Sequence, residues 1–248
     1  MFVSTPSGFA DTPVTKRLVL FTAIVPIGIS LMEAQYWLDL ARDPHLTKWG
    51  QWWRIVLNQI AYTNQAQVLL AVLLLYNLRI MERLMGSHKY LSYMIVVGTL
   101  SLVTTPALIM IWSMIPGLRA INYIPPGPTA PIFSVLCIYH QVVPAVYRFQ
   151  ISSTADMRVQ LTDKTFVYAI AAQLCMGGLP GSTVQAMVGW ALGSLLYSGV
   201  IPGRGWRLPY YQKLGWESTT DNTSGRSDNS TVPVTTDDTT SNNSNQNL

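Results

Sequence analysis

Six long apolar runs, separated by polar or proline-punctuated links, limit what this chain can fold into. They lie at about 18–37, 60–80, 90–115, 130–147, 165–179 and 183–201. A helix needs about 20 apolar residues to cross a bilayer core of roughly 30 Å. None of the runs alternates with period two, which argues against a closed β-barrel. The expected fold is an all-α polytopic membrane protein, a six-span helical bundle. Composition agrees: 49% of the 248 residues are hydrophobic and 11% charged, against about 25% charged in soluble domains. The fourth and fifth runs are the shortest.

Six spans put both termini on one side. Twelve of the 16 Lys and Arg residues then share that side, among them Lys16, Arg17, Arg79, Arg83 and Lys164. Arg42, Lys48, Arg54 and Arg119 fall on the other. This bias predicts cytosolic termini. The net charge of +4 therefore carries orientation and gives no reason to expect a nucleic-acid partner. The first run starts late and lacks a small-x-small cleavage site, so it is expected to remain as a span. Cys137 and Cys175 are lone cysteines inside runs, which gives neither a disulfide framework nor a metal pattern. No cofactor or metal is expected.

The organisation follows from composition. Residues 1–15 form a short cytosolic lead and 16–202 the membrane domain. Residues 203–217 mix basic and aromatic side chains, and 218–248 are Ser-, Thr-, Asn- and Asp-rich. Such a tail buries too little apolar surface to offset its ordering entropy, so disorder is expected. Its sequons at Asn222, Asn229 and Asn242 should stay unmodified on the cytosolic side. The loop 38–58, with Trp37 just ahead of it and Trp49, Trp52 and Trp53 inside it, suits the lumenal headgroup zone. Residues 148–164 read as a polar cytosolic link.

Several residues stand out by position. Glu82 lies four residues before Gly86-Ser87; it either snorkels beside Arg79 or ties the second span to its neighbours. Trp53-Arg54 is either an interfacial anchor or a donor to loop carbonyls. Gly189 and Gly193 share one helix face and permit close backbone approach. Ser134 and His140 are six apart, about 240° around a helix, so they cannot meet there. His140 and Gln141 are polar residues in a short run. They are candidates for a wet, thinned patch facing lipid or client helices.

The block YNLRIMERLMGSHKY (76–90), Trp53-Arg54, the turn Gly127-Pro128-Thr129-Ala130 and the Gly189/Gly193 step resemble the rhomboid superfamily of intramembrane proteases. That resemblance implies a serine of a GxSG turn at Thr129 and its histidine at Ala186. The oxyanion-side pair would fall on Ala66 and Leu70, counted back from Glu82. The dyad is therefore missing, and no catalytic residue is expected. Within the superfamily, MFVSTPSG, LLLYNLRIMERLMGSHKY and GPTAPIFSV resemble the UBA-domain-containing, derlin-like pseudoproteases of the Dsc ubiquitin-ligase subunit two group.

The resemblance implies a non-enzymatic membrane subunit in the endoplasmic reticulum and Golgi. Its partners would be a membrane-embedded RING-type E3 ubiquitin ligase, that ligase's other subunits, transmembrane clients and the bilayer. Members also end in a UBA domain, whose apolar three-helix core residues 218–248 lack. Two other readings are a transporter or channel and an active intramembrane protease. The first needs midplane ionisable groups or paired broken helices, and the chain offers His140, Gln141 and Pro106. The second needs a base where Ala186 stands.

Overall fold

The computed structural model describes residues 8–9, 11–112, 123–144, 148–152 and 158–200. The expected juxtamembrane segment (203–217) and tail (218–248), and most of the loop 116–128, lie outside them. Six long helices are present: α1 (Pro13–Leu31), α3 (Gln65–Met85), α4 (Ser87–Trp112), α5 (Thr129–Val142), α6 (Asp163–Met176) and α7 (Gly181–Ser198). A short α2 (Trp53–Asn58) lies between the first two.

Local chemistry sets the boundaries. Pro13 opens α1 where its missing N–H costs nothing. The Asn64 side chain caps α3 by accepting from the Ala66 N–H at 3.0 Å. Gly86 closes α3 at φ +84° and Gly199 closes α7 at φ +79°. Thr162 and Thr165 form a reciprocal capping box at the start of α6.

Each apolar run coincides with one long helix, though the edges move. The first run shifts to 13–31, because the chain leaves the helix at Glu33 (φ +53°). Trp37 belongs to a separate 3-10 turn, Ala34–Trp37. The fourth run stops at Val142, two residues ahead of Pro144. By length and composition, Pro13–Leu31 and Ser87–Ile111 are apolar enough to cross a membrane. α5 and α6 have 14 residues each, a rise of about 21 Å against a core of roughly 30 Å. Large apolar side chains stand exposed on the outer helix faces, including Phe21, Ile27, Leu69, Val103, Phe166 and Met187. Apolar surface on that scale fits contact with lipid or another protein.

The fold is mostly helical, consistent with the expected all-α membrane protein, and two short antiparallel pairs accompany the helices. β1 (Leu40–Ala41) pairs antiparallel with β2 (Tyr123–Ile124). The polar link 148–164 holds an antiparallel hairpin of β3 (Arg148–Ser152) and β4 (Arg158–Thr162). The cause is legible: RFQIS and RVQLT each alternate polar and apolar residues, the strand period. Register sets Phe149 opposite Leu161 and Ile151 opposite Val159.

α5 is the centre of the bundle, buried at every residue from Thr129 to Tyr139. It packs mainly along α7, while α3 contacts α1, α4, α5 and α6.

Candidate functional site

The α5–α7 seam is built on small residues. A side chain at Gly189 would run into the Ala130 carbonyl, and one at Gly193 would lie 2.7 Å from the Ser134 carbonyl oxygen. Ala130 and Ser134 are themselves four residues apart, so two small-residue steps face each other. Both pairs advance in the same direction, so α5 and α7 run parallel.

Thr129 and Ala186 sit at the head of this seam, both buried. The Thr129 hydroxyl lies 3.3 Å from the Tyr62 hydroxyl. The Tyr62 ring rests where a side chain at Gly127 would be, and Gly127 holds φ +141°, a value that only glycine adopts freely. Ala186 contributes a methyl to the main core; a methyl cannot take a proton from Thr129. His140 stands eleven residues along α5, about 16 Å away by helical rise. Ala66 is exposed in the capped first turn of α3, and Leu70 packs half-buried against the core. The buried polar residue at this level is Gln67.

At the loop end the organiser is Arg54, 1% exposed. Its Nη1 donates to the Tyr36 and Asp39 carbonyls at 2.8 and 3.0 Å, and its Nε to Gln51 Oε1 at 2.6 Å. Its guanidinium also lies over the rings of Tyr36, Trp37 and Trp53. Asn58 donates from Nδ2 to the Leu38 and Ile124 carbonyls and accepts from Gln185 Nε2. Gln185 donates in turn to the Pro125 carbonyl at 3.1 Å. Asn58, Gln185 and Tyr62 thus join the loop to the seam, and sequence reading missed all three. Gln185 carried a faint signal, an uncharged amide between apolar Val184 and Ala186; Asn58, beside Gln59, and Tyr62 carried none.

His45 is buried in the same loop, where its Nδ1 accepts from the Ala41 N–H at 3.1 Å. Burial holds its pKa below the ordinary value, nearby Arg54 adds to this, and Asp39 opposes it.

At the opposite end of α3, Glu82 is 1% exposed. Its Oε1 accepts from the Val14 N–H at 2.9 Å and from Ser87 Oγ at 2.7 Å; its Oε2 accepts from the Thr15 N–H at 2.7 Å. The carboxylate therefore caps the first turn of α1, where unsatisfied amides and the helix dipole both favour negative charge. Arg79 is turned elsewhere, over the Tyr76 ring at 4.0 Å. Gly86 supplies the positive-φ turn that brings Ser87 back to Glu82.

His140 and Gln141 end α5, both exposed. The His140 ring lies about 6 Å from those of Tyr168 and Trp190. Gln141 Nε2 reaches Cys137 Sγ at 3.4 Å. Lys164 donates to the His140 and Val143 carbonyls, a cation at a helix C-terminus. Among the described residues no group of three or more His, Cys, Asp or Glu could hold a metal.

Residues 17–197 match a family described as Eukaryotic integral membrane protein (DUF1751). The chain is 30% identical over 198 residues to DSC E3 ubiquitin ligase complex subunit 2 of Schizosaccharomyces pombe, covering 79% of this chain and 51% of that protein. It is 27% identical over 190 residues to Rhomboid-like protein 18 of Arabidopsis thaliana (77% and 63%). With human Ubiquitin-associated domain-containing protein 2 it shares 29% over 180 residues (72% and 51%). The chain spans only about half to two-thirds of the length of these relatives. No solved structure matches it. Because the matched stretch covers most of the chain and encloses Arg54, Glu82 and nearly all of the α5–α7 seam, the chain belongs to the DUF1751 family of eukaryotic integral membrane proteins.

Proposed function

We propose that this protein is a catalytically inactive rhomboid-like subunit of an endomembrane E3 ubiquitin-ligase complex, serving complex assembly and the recognition of transmembrane clients. One observation carries the inactive reading: Thr129 is buried against Tyr62, and Ala186 presents only a methyl group. A hydroxyl without a base is not a nucleophile. The ligase reading is supported by what the relatives are, one a DSC E3 ubiquitin ligase complex subunit and another a ubiquitin-associated domain-containing protein.

The six long helices are read as six spans, multi-pass in endoplasmic reticulum and Golgi membranes with cytosolic termini. The short, buried α5 implies local thinning, with exposed His140 and Gln141 offering hydrogen bonds to client helices that carry polar groups. The partners are a membrane-embedded RING-type ligase with its other subunits, and the clients.

Affinity purification in mild detergent with mass spectrometry tests the assembly. A RING-type membrane ligase should co-purify, and a solitary protein sinks the reading. Orientation has its own test. Endoglycosidase treatment should leave mobility unchanged; a shift abolished by changing Asn222, Asn229 and Asn242 to Gln would place the tail in the lumen.

A further inference from the structure

We infer that the end of α3 carries a binding site for the phosphate of an anionic lipid, formed by Arg79 and Arg83. The inference rests on the membrane placement of the family and is independent of the ligase reading. A recess of about 110 Å³ is lined by Tyr76, Asn77, Arg79, Ile80 and Arg83. About 15 Å³ suffices for one water molecule, so a phosphate group has room. Arg79 Nη1 is shut off from solvent and has no hydrogen-bond partner, a costly state for a charged donor. Its guanidinium is steadied over the Tyr76 ring. Arg83 Nη2 donates to the Gly8 carbonyl at 3.4 Å, and Phe9 packs edge-on against Tyr76 at 5.4 Å. Residues 8–9 therefore lie against the same stretch of α3. Asn77 Nδ2 is tied to the Leu73 carbonyl.

The nearby acid leaves Arg79 Nη1 without an acceptor, because both Glu82 oxygens are engaged by Val14, Thr15 and Ser87. Two guanidinium groups on one face present planar forks that suit phosphate oxygens. Residues 76, 80 and 83 share that face at helical spacing, and it continues through exposed Leu73 and Leu69. A lipid meets both features at once, acyl chain on the leucines and phosphate on the arginines. A soluble anion would use only the second. Basic recesses beside membrane helices at headgroup depth suit anionic lipids.

Native mass spectrometry of the purified full chain in neutral detergent decides it, using phosphatidic acid and phosphatidylcholine of equal acyl length. Wild type should retain phosphatidic acid preferentially. Arg79→Gln/Arg83→Gln should lower that retention about tenfold or more, the scale of a lost charge-assisted bond. Lys89→Gln, a change of an exposed cation outside the recess, should not. Should the double variant fail to stay monodisperse, Asn77→Asp decides instead. It sets a carboxylate in the recess, leaves both arginines in place, and should reduce retention several-fold. Equal retention of the two lipids, or undiminished retention in a monodisperse Arg79→Gln/Arg83→Gln or Asn77→Asp protein, overturns the site. Thermal stabilisation by inorganic phosphate equal to that by phosphatidic acid overturns its assignment to lipid.

Discussion

α1 and α5 are both apolar helices of one bundle, and they are held in opposite ways. α5 is enclosed from Thr129 to Tyr139 and meets α7 through Gly189 and Gly193. Its position depends on the size of side chains. α1 buries only Val14, Thr15 and Thr22 along its length. It is fastened at its start by the Glu82 carboxylate, and Arg54 grips the Tyr36 and Asp39 carbonyls just beyond its end. The two fasteners mirror each other: a buried anion collects amides, and a buried cation collects carbonyls. In lipid, apolar contact between helices carries little hydrophobic gain, so either close small-residue packing or buried polar ties must hold them. This molecule uses the first at its centre and the second at its edge.

The largest expected effect lies at the centre. Gly189→Leu or Gly193→Leu forces α7 off the Ala130 and Ser134 carbonyls, at a cost of about 3 kcal/mol. Ala186→Leu should cost less, yet not nothing, because Ala186 is buried in the main core. Steady-state abundance and monodispersity of the three variants check this. Wild-type behaviour of both glycine variants would break the contrast drawn with α1.

At the edge the loss should be local. Glu82→Ala removes the cap of α1, with an expected cost of about 2 kcal/mol for its charge-assisted hydrogen bonds. Hydrogen exchange at Val14 and Thr15 should accelerate about thirtyfold while the α5 amides keep their protection. Equal acceleration in both helices would mean that α1 is no separable edge element.

Thr129→Ala sits at the head of the seam yet should matter little. It removes one hydrogen bond to Tyr62, worth about 1 kcal/mol, and no chemistry. Client degradation in cells should be unchanged. Its loss at normal protein abundance would reopen the protease reading.

The same contrast explains what the sequence made legible. Apolar runs are local signals, so all six long helices were visible within a few residues. Glu82, Arg54, Gly189 and Gly193 were visible because each breaks the composition of its surroundings. Their partners were not, since the Val14 and Thr15 amides are backbone groups 68 and 67 residues away that every residue but proline possesses. Tyr62 lay hidden for the same reason: nothing local says that its hydroxyl meets Thr129. The β3–β4 hairpin carries period-two alternation over only five residues per strand, a signal its polar flanks obscure.

The smallest expected effect sharpens the comparison at the Arg54 fastener. His45 accepts the Ala41 N–H through Nδ1, so it must be neutral with its proton on Nε2. Protonation would point a second donor at that amide, beside the Arg54 charge. Its folded pKa lies below 6.5, so the unfolded loop binds the proton more readily. The contribution to stability is therefore fully present above pH 6.5 and is lost as pH falls through 6.5 toward the folded value. Trp49, whose ring lies 5.5 Å from His45, is a built-in reporter. Tryptophan fluorescence between about pH 7.5 and 5, the range in which histidine titrates, should change in wild type and stay flat in His45→Gln. An identical profile in the variant would remove His45 from the fastener, leaving Arg54 to hold that end of α1 at every pH.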